Sequence, residues 1–198
     1  MRILGLTGSI GMGKSTASQM LRRLRFPVLS SDDVVHALLG PDGKAVTDVA
    51  KLHGASYDKK TNSIDRAKLG AAVFDDPALL KKLEGILHPL VQAEQNAFLK
   101  RCRAMRKKIA VLDIPLLYET GAERRVDKVM VVSAPAFIQR QRVMARKGMN
   151  AQKLKAILSR QIPDAKKRHR ADSVIPTGIG KAVTFARLKA FIRIIKAG

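Results

Sequence analysis

The residues from Gly8 to Ser15, Gly-Ser-Ile-Gly-Met-Gly-Lys-Ser, satisfy the spacing G-x-x-x-x-G-K-[ST] directly after a short apolar run. Successive backbone N–H groups in such a loop point inward and form a nest for an anion. A helix starting at Lys14 adds the positive end of its dipole. On that chemistry Lys14 reaches the β- and γ-phosphates of a nucleotide, and the Ser15 hydroxyl ligates Mg²⁺. Gly8, Gly11, Met12, Gly13, Lys14, Ser15 and Thr16 are the expected phosphate-binding set. The dinucleotide fingerprint G-x-G-x-x-G fits less well, since after Gly11 and Gly13 its third glycine falls at Thr16.

A phosphate loop serves hydrolysis coupled to motion, a GTPase switch, or transfer to a small acceptor. A GTPase needs a base-reading N-K-x-D, and no Asn in this chain is followed by Lys. Motor and helicase ATPases need longer chains with further motifs. An early acidic pair and a late basic stretch suit a small-molecule kinase. No Cys/His spacing matches a structural zinc site.

The elements that must position this loop follow from apolar periodicity. "RILGLT" reads as a buried strand over residues 2–7, and from Lys14 the pattern turns helical, with Ala17, Met20, Leu21 and Leu24 on one face. Further short apolar strands fall at 27–29, 109–112 and 129–132, with a last one in "DSVIP". Helical periodicity dominates residues 34–99, where Asp76 and Pro77 have the character of a cap and a first helical residue. A helix over about 135–147 is expected to stop at Gly148, and Asn150 to cap the next. Nearly all-apolar strands alternating with helices predict a parallel sheet covered on both faces, an α/β doubly wound domain.

Composition narrows the class further. The 198 residues are 46% hydrophobic and 27% charged, with one cysteine, Cys102, so no internal disulfide forms and a cytoplasmic setting is expected. No apolar stretch approaches the roughly 20 residues of a membrane helix. The charge is less ordinary: 38 Lys and Arg against 16 Asp and Glu, a formal net charge of +22. Such a surface attracts polyanions. Its clusters, Arg22, Arg23 and Arg25, then residues 100–108 and 166–170, read equally as solvated helix faces. Aromatic residues make up only 4%, which disfavours single-strand nucleic-acid binding by base stacking.

With those residues in hand, the chain resembles the dephospho-CoA kinases from "GLTGSIGMGKST" to "ADSVIPTGIG". The family's D-x-D is matched by Ser30-Ser31-Asp32 and its His-Pro by His88-Pro89. Its "PLLFE"-like segment is matched by Pro115-Leu116-Leu117-Tyr118-Glu119, and its lid arginines by Arg142 and Arg146. The closing motif runs from Gln161 through Asp172 to Thr177, Gly178 and Gly180. The resemblance implies a P-loop kinase fold, with a five-stranded parallel sheet flanked by helices. The core then covers about 1–33, 108–140 and 170–198, a helical acceptor-binding insertion about 34–107, and a lid about 141–169. The implied activity is ATP-dependent phosphorylation of the ribose 3′-hydroxyl of dephospho-CoA, giving coenzyme A and ADP, with Mg²⁺ as cofactor. ATP and dephospho-CoA are the implied partners, without a membrane or a specific nucleic acid. The alternatives are a kinase for another nucleotide or nucleoside, and a basic nucleic-acid-binding ATPase.

Carried over residue by residue, the resemblance makes Asp32, Lys14 and Arg142 the catalytic set. It adds Arg146, Thr177 and Gly178 to the ATP site, and puts Asp32, His88, Leu116, Tyr118 and Glu119 on the acceptor side. Two positions depart from the family pattern: Ser30 replaces the first acid of D-x-D, and Thr177 replaces an Asn. Each role has a plainer reading beside it. Asp32 is a general base or a helix N-cap. Asp113 holds Mg²⁺ through water or forms the turn before Pro115. Arg142 and Arg146, four apart, face a phosphoryl group or solvent. His88 shapes the acceptor pocket or packs in an apolar helix.

Overall fold

The computed structural model describes residues 1–197. In chain order the elements are β1 (Arg2–Thr7), α1 (Lys14–Arg23), β2 (Val28–Ser30), α2 (Ser31–Leu39), α3 (Val46–Leu52), β3 (Tyr57–Asp58), β4 (Ser63–Ile64), α4 (Arg66–Asp75), α5 (Pro77–Ala104), β5 (Ile109–Asp113), β6 (Lys128–Ser133), α6 (Ala136–Met144), α7 (Ala151–Ser159), α8 (Asp164–Arg170), β7 (Ser173–Pro176) and α9 (Lys181–Ala197). They fall into two compact units, Met1–Val28 with Cys102–Gly198, and Leu29–Arg101. No helix among the described residues is long and apolar enough to cross a membrane.

The first unit is organised by a five-stranded sheet in the order β2-β5-β1-β6-β7. β1 pairs in parallel with β5, Arg2 beside Ile109 and Leu6 beside Asp113, and with β6, Thr7 beside Val131. β6 in turn pairs in parallel with β7. This is the architecture the alternating apolar strands predict. The interior strands are apolar along their length because helices cover both faces; every residue of β5 is buried. Leu4, Leu6, Val111, Met130 and Ile175 pack with Met20 and Leu21 of α1 and with Leu188 and Ile192 of α9. Each such burial contributes about 1.5–3 kcal/mol. The register finishes β1 and β5 together, so the phosphate loop and Asp113 share the carboxyl edge of the sheet, where ligands of such folds bind.

The second unit has its own core: Val34 and Leu38 of α2, Val46 and Val49 of α3, Leu69 of α4, and Leu83 and Leu87 of α5. α5 starts as the sequence predicts. Pro77 is its first residue, and the Asp76 carboxylate accepts the Ala78 and Leu79 N–H groups at 2.9 Å each. Pro89 lies inside this helix, where it lacks an N–H for the carbonyl of Gly85. The helical pattern over 34–99 holds except for the two-stranded hairpin β3-β4. Its turn is built by Asp58, which accepts from the Lys60 N–H and the Thr61 hydroxyl, and by Asn62 at φ +46°. Two strand and helix limits differ from expectation by a few residues. β2 is Val28–Ser30, and α6 ends at Met144 instead of continuing towards Lys147.

Candidate active site

Gly11 and Gly13 have φ of +74° and +84°, left-handed values that L side chains adopt only with strain. These two residues let the loop turn sharply, and four of its carbonyls in a row meet a donor. The Ser9 carbonyl accepts from the Met12 N–H at 3.1 Å. The Ile10 carbonyl accepts from Gln139 Nε2 at 2.8 Å, and the Gly11 carbonyl from Arg142 Nη1 at 3.4 Å. The Met12 carbonyl accepts from the Thr177 hydroxyl at 2.7 Å. Three consecutive carbonyls, of Ile10, Gly11 and Met12, are thus held by side chains from outside the loop, while the Ser9 carbonyl is closed by the loop's own Met12 N–H. Carbonyls engaged in this way suit an anion nest, which is lined by amide N–H groups.

The side-chain donors come from two places, α6 and the residue after β7. Gln139 and Arg142 are three apart on α6 and so project from one side of it. Gln139 is buried, at 8% exposure, although its type belongs on surfaces. A second glutamine closes the bracket: Gln161 Oε1 accepts the Ile10 N–H at 3.1 Å. One peptide unit on each side of Ile10 is therefore held by a side-chain amide. Met12 anchors the loop from below, 3% exposed, with its sulfur 3.1 Å from the Ala134 N–H. Gly8 is buried at the exit of β1, Ser15 is exposed in the first turn of α1, and Thr16 is half-buried there.

Lys14 Nζ lies 2.7 Å from Asp113 Oδ1, and the two side chains are 14% and 4% exposed. Asp113 is thus a buried carboxyl beside the loop lysine at the sheet's carboxyl edge, a partnership that neither the Mg²⁺ reading nor the turn reading names. Arg142 is half-buried and donates through Nη2 to the Thr177 carbonyl at 2.6 Å, with Thr177 Oγ1 3.3 Å from Nη1. Thr177 is 8% exposed, so the residue that replaces the family's Asn serves as a tie between the loop and the arginine. Gly178 follows directly, where an added Cβ would lie 2.7 Å from Pro135 Cδ. Arg146 is not brought onto one helical face with Arg142, because α6 stops at Met144 and Arg146 sits exposed in the turn beyond.

The acceptor-side residues separate into two kinds. Asp32 and His88 belong to the second unit. Asp32 is exposed in the first turn of α2, two residues past β2. The cap of that helix is Ser30, whose hydroxyl accepts the Asp33 N–H at 3.1 Å, so Asp32 is not the N-cap. His88 is exposed on α5 and does not pack in the core. Leu116 is also exposed, at 37%.

Tyr118 and Glu119 instead turn inward in the first unit. The Arg170 guanidinium lies 4.2 Å above the Tyr118 ring. Burial of the Tyr118 hydroxyl pushes its pKa up, helped by the carboxylates of Asp172 and Glu123 and opposed by Arg170. Glu119 Oε1 accepts the Ile162 N–H at 2.9 Å and lies 2.7 Å from Lys167 Nζ, a fully buried ammonium. Sequence reasoning did not single out Gln139 or the pairing of Lys167. A glutamine on an otherwise apolar helix turn was the available signal for the first, and nothing marked the second.

Comparison with known proteins supplies the acceptor class. The family model described as dephospho-CoA kinase matches residues 2–180. The chain is 51% identical to the dephospho-CoA kinase of Rhodospirillum rubrum over 99% of its own length and 92% of that protein's. It is 52% identical to that of Mesorhizobium japonicum, covering 97% and 95%. The solved structure of the Campylobacter jejuni dephospho-CoA kinase superposes with a TM-score of 0.73 at 28% identity, covering 98% of each chain. A phosphate loop braced at its Ile10, Gly11 and Met12 carbonyls, a lysine–aspartate pair at the edge of a parallel sheet, and this likeness along the whole chain lead to one conclusion: the chain belongs to the dephospho-CoA kinase family.

Proposed function

We propose that Asp32, Lys14 and Arg142 are the groups with which this chain performs the reaction of its family, the phosphorylation of dephospho-CoA that completes coenzyme A biosynthesis. The ribose 3′-hydroxyl of the acceptor attacks the γ-phosphorus of ATP. The new bond joins that oxygen to phosphorus, the bond to the β,γ-bridging oxygen breaks, and ADP leaves with the electron pair. Asp32 accepts the hydroxyl proton, as the acceptor is an unactivated alcohol and needs a carboxylate in hydrogen-bond reach. Lys14 and the loop N–H groups neutralise the phosphate chain, and Arg142 balances charge on the transferring group. The observation that carries this reading is the glycine-turned loop whose Ile10, Gly11 and Met12 carbonyls are held by side chains outside it, with Lys14 paired to Asp113 beside it.

Mg²⁺ fits the donor set, an exposed Ser15 hydroxyl next to Lys14 with the buried carboxylate of Asp113 nearby, because this ion keeps waters and phosphate oxygens as most of its ligands. When bound it neutralises charge on the β- and γ-phosphates. Ser15 holds it directly and Asp113 through water. Thr16, Arg146 and Gly178 complete the nucleotide side, and His88 and Leu116 offer exposed side chains to the acceptor. Tyr118 and Glu119 act from behind, by fixing α8. The single buried Cys102 accords with a cytoplasmic enzyme.

Steady-state kinetics with ATP, Mg²⁺ and a panel of acceptors tests the assignment. Asp32→Asn is expected to lower kcat by roughly 10² to 10⁴ with ADP affinity retained. A kcat equal to that of the unaltered enzyme removes Asp32 from this role. Preference for a nucleoside monophosphate over dephospho-CoA rejects the acceptor.

A further inference from the structure

The net charge of +22 is not shared by the two units. Of the 38 Lys and Arg, 28 lie in Met1–Val28 with Cys102–Gly198 and 10 in Leu29–Arg101; of the 16 Asp and Glu, the division is 6 and 10. The nucleotide-binding unit therefore carries all +22, and the other unit is neutral. Four of the six acids of the charged unit are spent in ion pairs, while Asp127 and Asp164 meet neutral donors; Asp127 is exposed beside Ile3 at the amino edge and offsets one of the cations there. Asp113 meets Lys14, Glu119 meets Lys167, Glu123 meets Arg170 and Asp172 meets Lys128. Asp127 accepts the Ile3 N–H and Asp164 the Ser133 hydroxyl.

Part of this charge lies where the reaction has no use for it. At the amino edge of the sheet, opposite the phosphate loop, Arg2, Arg106, Lys107 and Lys108 are all exposed. The Arg2 N–H donates to the Lys108 carbonyl at 2.8 Å. Arg25, also exposed, ends the turn before Pro27, whose carbonyl accepts from Val111 of the neighbouring β5 at 2.9 Å. Lys196 joins them from α9, 5.3 Å above the Phe26 ring. From Arg2 to Gly8 the chain is extended, so these cations stand about 20 Å from the nest at about 3.3 Å per residue. That exceeds two Debye lengths at physiological salt, about 8 Å each, so they add little to nucleotide binding.

We infer that this amino-edge cluster, Arg2, Arg25, Arg106, Lys107, Lys108 and Lys196, binds the phosphodiester backbone of double-stranded nucleic acid without reading its sequence. Phosphate contacts need only Lys and Arg, which is what this edge offers. A bilayer surface is the lesser fit. The apolar side of α9, with Leu188, Phe191 and Ile192, is buried in the core, and the exposed apolar groups near this edge are Met1, Met105 and Ile194, too scattered along the chain to form one inserting face. An anionic membrane usually requires an amphipathic face to insert.

Fluorescence anisotropy of the full chain with 20-base-pair RNA and DNA duplexes, from 50 to 300 mM KCl, tests the inference. Six phosphate contacts predict a log–log salt slope of about −5, at about −0.9 per contact. The variant Arg25→Gln/Arg106→Gln/Lys107→Gln/Lys108→Gln is expected to flatten it by about 4, one per cation, with kinase activity unchanged. A control with the same charge loss away from this edge, Lys153→Gln/Lys155→Gln/Lys181→Gln/Lys189→Gln on α7 and α9, is expected to retain most of the slope. RNA and DNA are expected to bind alike, because the contacts are to phosphate. The inference is overturned by no binding at 50 mM KCl, by an unchanged slope in the first variant, by an equal loss in the control, or by a more than tenfold preference for one sugar type. Binding to phosphatidylglycerol vesicles without binding to either duplex overturns it in favour of a membrane.

Discussion

Replacing Glu119 by Gln leaves the Lys167 ammonium, fully buried, facing a neutral amide. The two groups are 2.7 Å apart, and Glu119 is itself only 13% exposed. Lys167 Nζ makes no well-directed hydrogen bond among the described residues, so the attraction is one of charge on charge more than of an aligned N–H. Removing one partner of such a pair is expected to destabilise the fold by about 3–5 kcal/mol, since the other charge stays desolvated. Glu119→Gln keeps an oxygen for the Ile162 N–H, which holds its loss near the lower end. Lys167→Met is expected to fall in the same range. The double variant Glu119→Gln/Lys167→Met retains the shape and the Ile162 bond, and is expected to lie within about 1 kcal/mol of the unaltered protein. The coupling between the two changes is therefore about 4 kcal/mol or more in magnitude, with the sign of mutual rescue. Urea unfolding at pH 7 followed by far-ultraviolet circular dichroism measures all four corners of the cycle. Single variants within about 1 kcal/mol of the parent, or a double variant as unstable as the sum, would refute the reasoning.

Lys14→Ala is expected to reduce turnover nearly to background and to lower stability by about 1–3 kcal/mol, because Asp113 remains buried at 4% exposure; kinetics and urea unfolding report the two losses separately. Gln139→Ala and Gln161→Ala each release one side of the Ile10 peptide and are expected to raise the KM for ATP several-fold, with a smaller change in the KM for the acceptor; an acceptor-only effect contradicts the bracing role. For Asp172, burial opposes ionisation, but the Lys128 ammonium and the Val129 N–H outweigh it and hold the pKa below 3.8. A depressed carboxylate stabilises the fold above its unfolded pKa and loses that contribution as pH falls through its folded one. Asp172→Asn is accordingly expected to lose about 1 kcal/mol from pH 5 to 8, discounted for the exposure of the pair; the difference begins to shrink as pH falls below 3.8 and closes only below the depressed folded pKa, in chemical unfolding.

The parts of the fold legible in the sequence are those set by neighbours along the chain. The loop from Gly8 to Ser15, the Asp76-Pro77 start of α5 and the Asn150 cap, which accepts the Lys153 N–H at 2.8 Å, are local arrangements. So is the alternation of apolar strand and helix. What escaped is carried by distant partners: Gln139 and Gln161 reach Ile10 across 129 and 151 residues, and no spacing rule links such positions. His88 looked apolar in its surroundings and is exposed, because it and Pro89 fall on the outer side of a long helix between Leu87 and Leu90, which face the core. Arg146 fell off the expected helical face when α6 ended at Met144, with the Arg146 N–H turning back to the Val143 carbonyl at 3.0 Å. Thr177 illustrates the opposite case. It departs from the family's Asn, and its hydroxyl does useful work on the Met12 carbonyl.

The bonded carbonyls of the phosphate loop bear on the end of the catalytic cycle as well as its start. On the proposed reading, a cradle held by Gln139, Arg142 and Thr177 meets the same β-phosphate in a diphosphate as in a triphosphate. Spent nucleotide therefore competes with fresh nucleotide for one rigid seat, and vacating that seat becomes a natural brake on turnover when ADP accumulates.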